Sequence, residues 1–302
     1  MSTPAQQHPH PRPRPPARLA TVISAAHLTP GMVRLVLGGP GLAGFEPSPY
    51  ADSYLKLAFL PGVGTSTSGA DALATWVTPE GTIDLAAARA ALPAERQPRL
   101  RTYTVRGYDD LELTVTVDLL VHGTDGIAGP WAAGAVPGDE VVVVGPGGGY
   151  SPDPTADQHL LVGDASALPA IAVALERLGT GAVGTALIEV ADPTEEQALR
   201  VPEGVTLRWL HAQGADQPAG SALVQAVLAL PWPEGRVHAF VHGEAGAVRT
   251  LRHHLRVERG LARTDLSISG YWRLGVDDEG WRSAKRDWLR GIEDSEQAAG
   301  LD

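Results

Sequence analysis

The stretch Arg101-Thr102-Tyr103-Thr104-Val105-Arg106 decides how the rest of the chain is read. Its β-branched and aromatic residues favour a strand, and strand alternation sends Arg101, Tyr103 and Val105 to one face. A guanidinium and a phenol ring then stand on the same side, as a flavin dinucleotide site requires: a cation for the pyrophosphate and a flat ring to cover the isoalloxazine. Thr104 could reach flavin N5 through its amide or hydroxyl, although alternation turns its side chain away. Taken alone, the same residues also suit a plain strand with threonine and arginine on its wet side.

Outward from this stretch, residues 19–27 and 32–37 alternate apolar and polar and are parted by Thr29-Pro30-Gly31, a turn tripeptide. Residues 53–60 continue the pattern with Lys56 in the middle, and residues 61–70 read as a Gly/Ser/Thr loop. Residues 111–119 follow Gly107-Tyr108-Asp109-Asp110, a hairpin signal, and residues 139–144 lie between Pro137-Gly138 and Gly145-Pro146. Short strands with this punctuation predict an antiparallel β-barrel over residues 17–150. From about residue 156 strands alternate with helices, the latter expected near 167–178, 194–199, 221–230 and 243–259. That rhythm predicts a parallel sheet covered on both faces, over residues 156–275. In residues 276–302, Trp281, Trp288, Leu289 and Ile292 recur at helical spacing and predict a C-terminal helix with one docked face.

Composition narrows the chemistry. A net charge of −11 over 302 residues argues against general binding to nucleic acid or anionic membrane, and no apolar run is long enough to insert in a bilayer. Residues 1–16 are rich in Pro, His and Arg and lack the apolar segment of a signal peptide, so a disordered tail on a cytoplasmic protein is expected. With no cysteine, disulfides, thiolate nucleophiles and ordinary iron–sulfur clusters are excluded, and a redox role must rest on an organic cofactor or a borrowed metal. His238 and His242 lie four residues apart on a strand pattern, roughly 13 Å, too far to share one metal.

Two more clusters carry polar chemistry. Asp118-Leu119-Leu120-Val121-His122-Gly123 leads to Gly126-Ile127-Ala128-Gly129-Pro130-Trp131-Ala132, where small residues before a short helix let backbone amides approach a phosphate. Leu160-Leu161-Val162-Gly163-Asp164-Ala165-Ser166 ends a strand of the predicted parallel sheet, where a dinucleotide crevice belongs, although no Gly-x-Gly-x-x-Gly lies between this strand and the helix after it. Each is equally an ordinary turn or capped helix start.

These motifs, with Pro137-Gly138-Asp139, Gly243-Glu244 followed by Arg249 and Arg252, and Tyr271-Trp272-Arg273-x-Gly275, together resemble the siderophore-interacting protein family over nearly the whole chain. The resemblance implies a two-domain ferredoxin-reductase-like fold, an FAD-binding antiparallel β-barrel followed by an NAD(P)H-binding α/β domain with a C-terminal helix. It implies a ferric-siderophore reductase fed by NADH or NADPH through FAD, with no protein acid, base or metal ligand in the chemistry. By the same resemblance Arg101, Tyr103 and Thr104 would hold the flavin's pyrophosphate, ring and N5 region. Asp118, His122 and Gly123 would line its ribityl and adenosine side, and Ala128, Gly129, Trp131 and Ala132 would cap the pyrophosphate. Gly163, Asp164, Ser166 and Glu244 would face the nicotinamide nucleotide, Tyr271 and Trp272 would close the pocket, and Lys56 with Arg273 would attract an anionic ferric chelate.

Four positions depart from the family pattern. Ile127 stands where proline is usual and Pro130 where a basic residue is common, while Ala165 and Ala212 replace an acidic residue and an arginine near the donor site. Glu189 and Asp192, near the end of a strand, could bond a ribose 2′-hydroxyl and would repel a 2′-phosphate, which favours NADH. Two other readings stay open: a reductase exchanging electrons with a ferredoxin or flavodoxin through Lys285, Arg286 and Arg290, and a flavin- or siderophore-binding protein without turnover. Lacking an exposed apolar repeat, the chain is expected to be a monomer.

Overall fold

The computed structural model describes residues 15–60, 63, 73–121, 123, 126–212 and 217–301. Residues 1–14 of the tail expected over 1–16, His122 and most of the loop expected over 61–70 lie outside them.

Six strands close a barrel: β1 (Ala17–Thr29), β2 (Met32–Gly38), β3 (Tyr54–Phe59), β4 (Arg99–Asp109), β5 (Thr114–Leu120) and β6 (Glu140–Gly147), in the order β1-β2-β5-β4-β3-β6. All of its pairings are antiparallel. Alternate residues fill the interior: Val33, Leu35 and Leu37 of β2, Leu55 and Leu57 of β3, Val115, Val117 and Leu119 of β5, and Val141 and Val143 of β6 are all buried in one cluster. Burying side chains of this kind contributes about 1.5–3 kcal/mol each. The expected hairpin at Gly107-Tyr108-Asp109-Asp110 is displaced. β4 continues to Asp109 because Gly107 absorbs a bulge between Val105 and Gly107, and the chain turns at residues 110–113. Asp109 Oδ1 accepts the amides of Leu111 and Glu112 there, both at 3.0 Å.

Helix α1 (Leu85–Ala91), which sequence periodicity did not reveal, is capped by Asp84, and α2 (Ala128–Gly134) crosses between β5 and β6. A five-stranded sheet follows, built from β7 (Gln158–Asp164), β8 (Gly184–Val190), β9 (Val205–His211), β10 (Val237–Glu244) and β11 (Leu266–Trp272). Its order is β11-β10-β7-β8-β9 and every pairing is parallel. Helix α3 (Leu168–Arg177) covers one face, and α4 (Ser221–Leu228) with α5 (Ala245–His253) covers the other. The expected helix at 194–199 is a single tight turn, Pro193–Glu195, because Asp192 caps Thr194 and the chain then extends from Glu196. Helix α6 (Asp278–Ala298) ends the fold.

The sheet is fastened to the barrel. Arg106 of β4 makes a bidentate pair with Glu176 of α3 at 3.0 and 2.5 Å, Arg177 donates to Pro49 O at 2.6 Å, and Thr29 donates to Glu195 at 2.5 Å. Neighbours of β7 on its two sides are β8 and β10, so the order of strands reverses there, at carboxyl ends of the kind where such sheets bind ligands.

Candidate functional site

Arg101 and Tyr103 of β4 pair with Leu57 and Leu55 of β3, and Tyr103 packs against the same cluster as Val105, so the alternation expected of this stretch is realised. Burial pushes the Tyr103 phenol well above its ordinary range, so it stays a neutral ring. Thr104 is buried and pairs with Tyr54, while Thr102 pairs with Lys56, placing these four on the opposite face. Burial lowers the Lys56 ammonium and the nearby Arg282 lowers it further, with Asp278 opposing both. Tyr271, at the end of β11, is pushed up by burial and by the carboxylates of Asp52 and Asp164, so the sheet reaches the barrel beside β3.

The Arg101 guanidinium is not free. Its Nη1 and Nη2 donate to Glu279 at 2.6 and 3.0 Å, and Nη1 donates to Asp278 at 3.2 Å. Sequence reading missed this partner: the acidic first turn of α6 was visible, but nothing local ties it to a strand 178 residues earlier.

Asp118 sits on β5 and is buried, but its carboxylate is held by Arg34 through two bonds of 2.7 and 2.8 Å, with Arg106 at 4.0 Å. The bidentate guanidinium braces Asp118 and ties β5 to β2. Gly123 is exposed with φ +59°, and His122 falls outside the described residues. Helix α2 starts at Ala128 with no side-chain cap from Ile127, leaving its first amides available. Ala128 and Ala132 are buried beneath it and Gly129 is half-buried. Trp131 meets Phe59 edge-on with centroids 5.5 Å apart, and its buried indole N–H has no partner among the described residues.

At the sheet's carboxyl ends the polar residues bind one another. Asp164 accepts four hydrogen bonds: Ser166 N at 2.9 Å and Ser166 Oγ at 2.5 Å on Oδ1, Glu244 N and Trp272 Nε1 at 2.8 Å each on Oδ2. Glu244 caps α5 by accepting Gly246 N at 2.5 Å and Ala247 N at 3.0 Å, and its other oxygen accepts Leu274 N at 3.3 Å. Asp164, Ser166 and Glu244 therefore knit β7, β10 and β11 together at the strand ends. A side chain at Gly163 would strike Ala167 Cβ at 2.6 Å and His242 O at 2.9 Å, so this glycine permits strand and helix to pack closely. Glu189 is buried and accepts Gly220 N and Leu223 N at 3.0 Å each, so both of its oxygens are engaged in capping α4. Asp192 caps Thr194.

Arg273 is exposed on a turn closed by a bridge to Val276. Lys285 is half-buried and lowered by burial, close enough to depress His242, so it turns inward from α6. Arg290 pairs with Asp287 at 3.1 Å. The basic patch required for docking a ferredoxin is divided accordingly. No cluster of three or more metal-ligating side chains occurs among the described residues, and no described helix is long and apolar enough to cross a membrane.

Comparison with known proteins gives the same two units. Residues 21–150 match the siderophore-interacting FAD-binding domain family, and residues 156–275 match the siderophore-interacting protein family. An uncharacterized protein of Mycobacterium tuberculosis is 44% identical over 290 residues, covering 90% of this chain and 95% of its own. The ferric vibriobactin reductase of Vibrio cholerae is 31% identical, covering 89% and 93%, and the NADPH-dependent ferric-chelate reductase of Escherichia coli is 29% identical, covering 80% and 87%. A siderophore utilization protein from T. fusca superposes with a TM-score of 0.71 at 36% identity, covering 87% of this chain and 94% of that one. At the level of fold alone, phthalate dioxygenase reductase superposes with a TM-score of 0.54 at 13% identity, covering 87% and 70%, so the architecture is ferredoxin-reductase-like.

Proposed function

We propose, from the premise that this chain belongs to the siderophore-interacting protein family, that it is an FAD-dependent oxidoreductase that reduces ferric siderophores with electrons from NADH or NADPH. The single observation that carries the reading is that Arg101 and Tyr103 share one face of β4, with the Arg101 guanidinium brought to the first turn of α6.

The residues present fit FAD. Arg101 is a bidentate donor of the shape a phosphate accepts, the amides of Ala128 and Gly129 and the Trp131 indole, which has no partner among the described residues, offer further donors, and neutral Tyr103 offers an aromatic face. When bound, FAD would convert a two-electron donor into single-electron deliveries. The protein's part is to bind, orient and exclude water. Arg101 would hold the pyrophosphate, Tyr103 the ring and Thr104 its N5 edge, with Ala128, Gly129 and Ala132 keeping the approach close. Trp272, fixed by Asp164, would wall the side on which the nicotinamide enters.

The ferric chelate is substrate. Lys56, Lys285 and Arg282, with Arg273 at the rim, would draw an anionic chelate toward the cleft. Ferric iron is a hard cation held by oxygen ligands, and ferrous iron carries less charge, so reduction weakens the chelate and frees the metal. With Glu189 engaged in capping α4, the sequence-based preference for NADH loses its support, and either donor remains part of this reading.

The test is an anaerobic stopped-flow trace of FAD-loaded protein mixed separately with NADH and NADPH, then with a ferric siderophore and a ferrous trap. Bleaching of the visible flavin band followed by its recovery is the expected result. Protein that retains FAD but is bleached by neither nucleotide would overturn the reading.

A further inference from the structure

The cation on which the flavin site depends is engaged by the protein's own carboxylates. Glu279 presents both oxygens to the Arg101 guanidinium at 2.6 and 3.0 Å, and Asp278 adds a third contact at 3.2 Å. A bidentate carboxylate meets a guanidinium with the same two-oxygen face as a phosphate. The local structure holds this arrangement in place. Asp277 caps α6 by accepting Gly280 N at 2.8 Å, which sets Asp278 and Glu279 in the first turn. Arg282, one turn later, donates to Asp278 at 2.5 Å and to Leu100 O at 2.6 Å, pulling that turn onto β4.

The rest of α6 is anchored elsewhere. Trp281 is buried, with its ring 3.0 Å from where a Cβ on Gly270 would stand, and Ile292 is buried further along. Arg252 of α5 makes a buried bidentate pair with Glu296 at 2.6 and 2.9 Å. Residues 273–277 leading into α6 are exposed and turn at Gly275 with φ +75°. Asp278 and Glu279, which precede Trp281, can therefore leave Arg101 without undocking the helix. The side chains of Asp278 and Glu279 are 32% and 40% exposed against 16% for Arg101, so the acids have water to return to and the cation has little.

We infer that Glu279 and Asp278 compete with the pyrophosphate of FAD for Arg101, so that the first turn of α6 sets how tightly the flavin is held. One guanidinium cannot neutralise two carboxylates and a diphosphate together, and like charges this close repel. FAD binding then displaces the first turn of α6 from β4. This inference rests on the reading that Arg101 serves the pyrophosphate, and its test separates the two.

FAD is titrated into apoprotein by quenching of flavin fluorescence for the native chain, Glu279→Gln, Arg101→Ala and the double variant, and amide exchange of residues 277–282 is followed with and without FAD. Removing the competing charge is expected to tighten FAD roughly three- to tenfold, the range of a partly exposed charge-assisted pair. The gain should vanish in the Arg101→Ala background, and FAD should speed exchange in the first turn of α6. Unchanged or weaker binding by Glu279→Gln would overturn the inference, because the carboxylate would then be orienting Arg101. An equal gain with Arg101→Ala would overturn it too, by assigning the effect to through-space repulsion alone, as would amides that FAD leaves unchanged. Native affinity in Arg101→Ala would instead overturn the flavin role of Arg101, and no FAD binding by any form would overturn the proposed function.

Discussion

The indole N–H of Trp272 donates to Asp164 Oδ2 at 2.8 Å, joining the ends of β11 and β7 across 108 residues of chain. Trp272→Phe keeps an aromatic ring and removes one of four donors to Asp164, so it should cost about 1 kcal/mol. Asp164→Asn sets an amide N–H₂ against those donors and should cost roughly 2–3 kcal/mol. Urea unfolding of both variants checks the order; a larger loss for Trp272→Phe would mean that the ring's packing, and not its hydrogen bond, holds the crevice.

Glu189 makes a different prediction from the one its position at a strand end suggests. Because it caps α4 through Gly220 N and Leu223 N, Glu189→Ala should lower stability by about 1–2 kcal/mol, as losing a cap does. The ratio of kcat/KM for NADH to that for NADPH should stay as in the native chain. A shift in that ratio with stability intact would return Glu189 to the nucleotide site.

The docking of α6 should be lost in acid. Hydrogen bonding to Arg252 holds the Glu296 carboxyl below its ordinary value, helped by the charges of Arg252, Arg256 and Arg263 and opposed by burial. A depressed folded value means that the stabilisation is complete above the unfolded glutamate value of about 4.3 and fades as pH falls below it through the folded value. Glu296→Gln should leave Arg252 buried without its counter-charge, destabilising α6 by about 3 kcal/mol and removing this pH dependence. Tryptophan emission from Trp281 and Trp288, whose rings lie 5.4 Å apart on α6, would follow both effects.

Charge in the cleft should govern substrate binding. Lys285→Gln is expected to raise KM for an anionic ferric chelate about threefold or more and to leave a neutral acceptor nearly unaffected, with added salt weakening the native chain in the same sense. Arg273→Ala, at the exposed rim, should act in the same direction but less. Equal effects on both acceptors would remove these cations from the substrate site.

Much of the architecture was legible in the sequence because its signals are local. Alternation in residues 32–37 and 53–60, the turn at Thr29-Pro30-Gly31 and the strand-helix rhythm after residue 156 each report on neighbours within a few positions, and the barrel and parallel sheet follow from them. Helix α1 escaped because seven mostly alanine residues carry no clear apolar stripe. The β4 turn was misplaced because a glycine that absorbs a bulge looks like a glycine that starts a hairpin.

Local pattern was enough for the two kinds of sheet, for the strand that presents Arg101 and Tyr103 on one face, and for the family resemblance. The partners of the charged side chains emerge only in the folded chain. Asp118, Asp164 and Glu189 read in sequence as ligands for a cofactor, yet folding brings them Arg34, Trp272 and Gly220 as partners, and Arg101 finds Glu279. The physical reason is range. Backbone periodicity is set by adjacent residues, whereas a buried carboxylate must find donors wherever chain closure delivers them, often a hundred residues away.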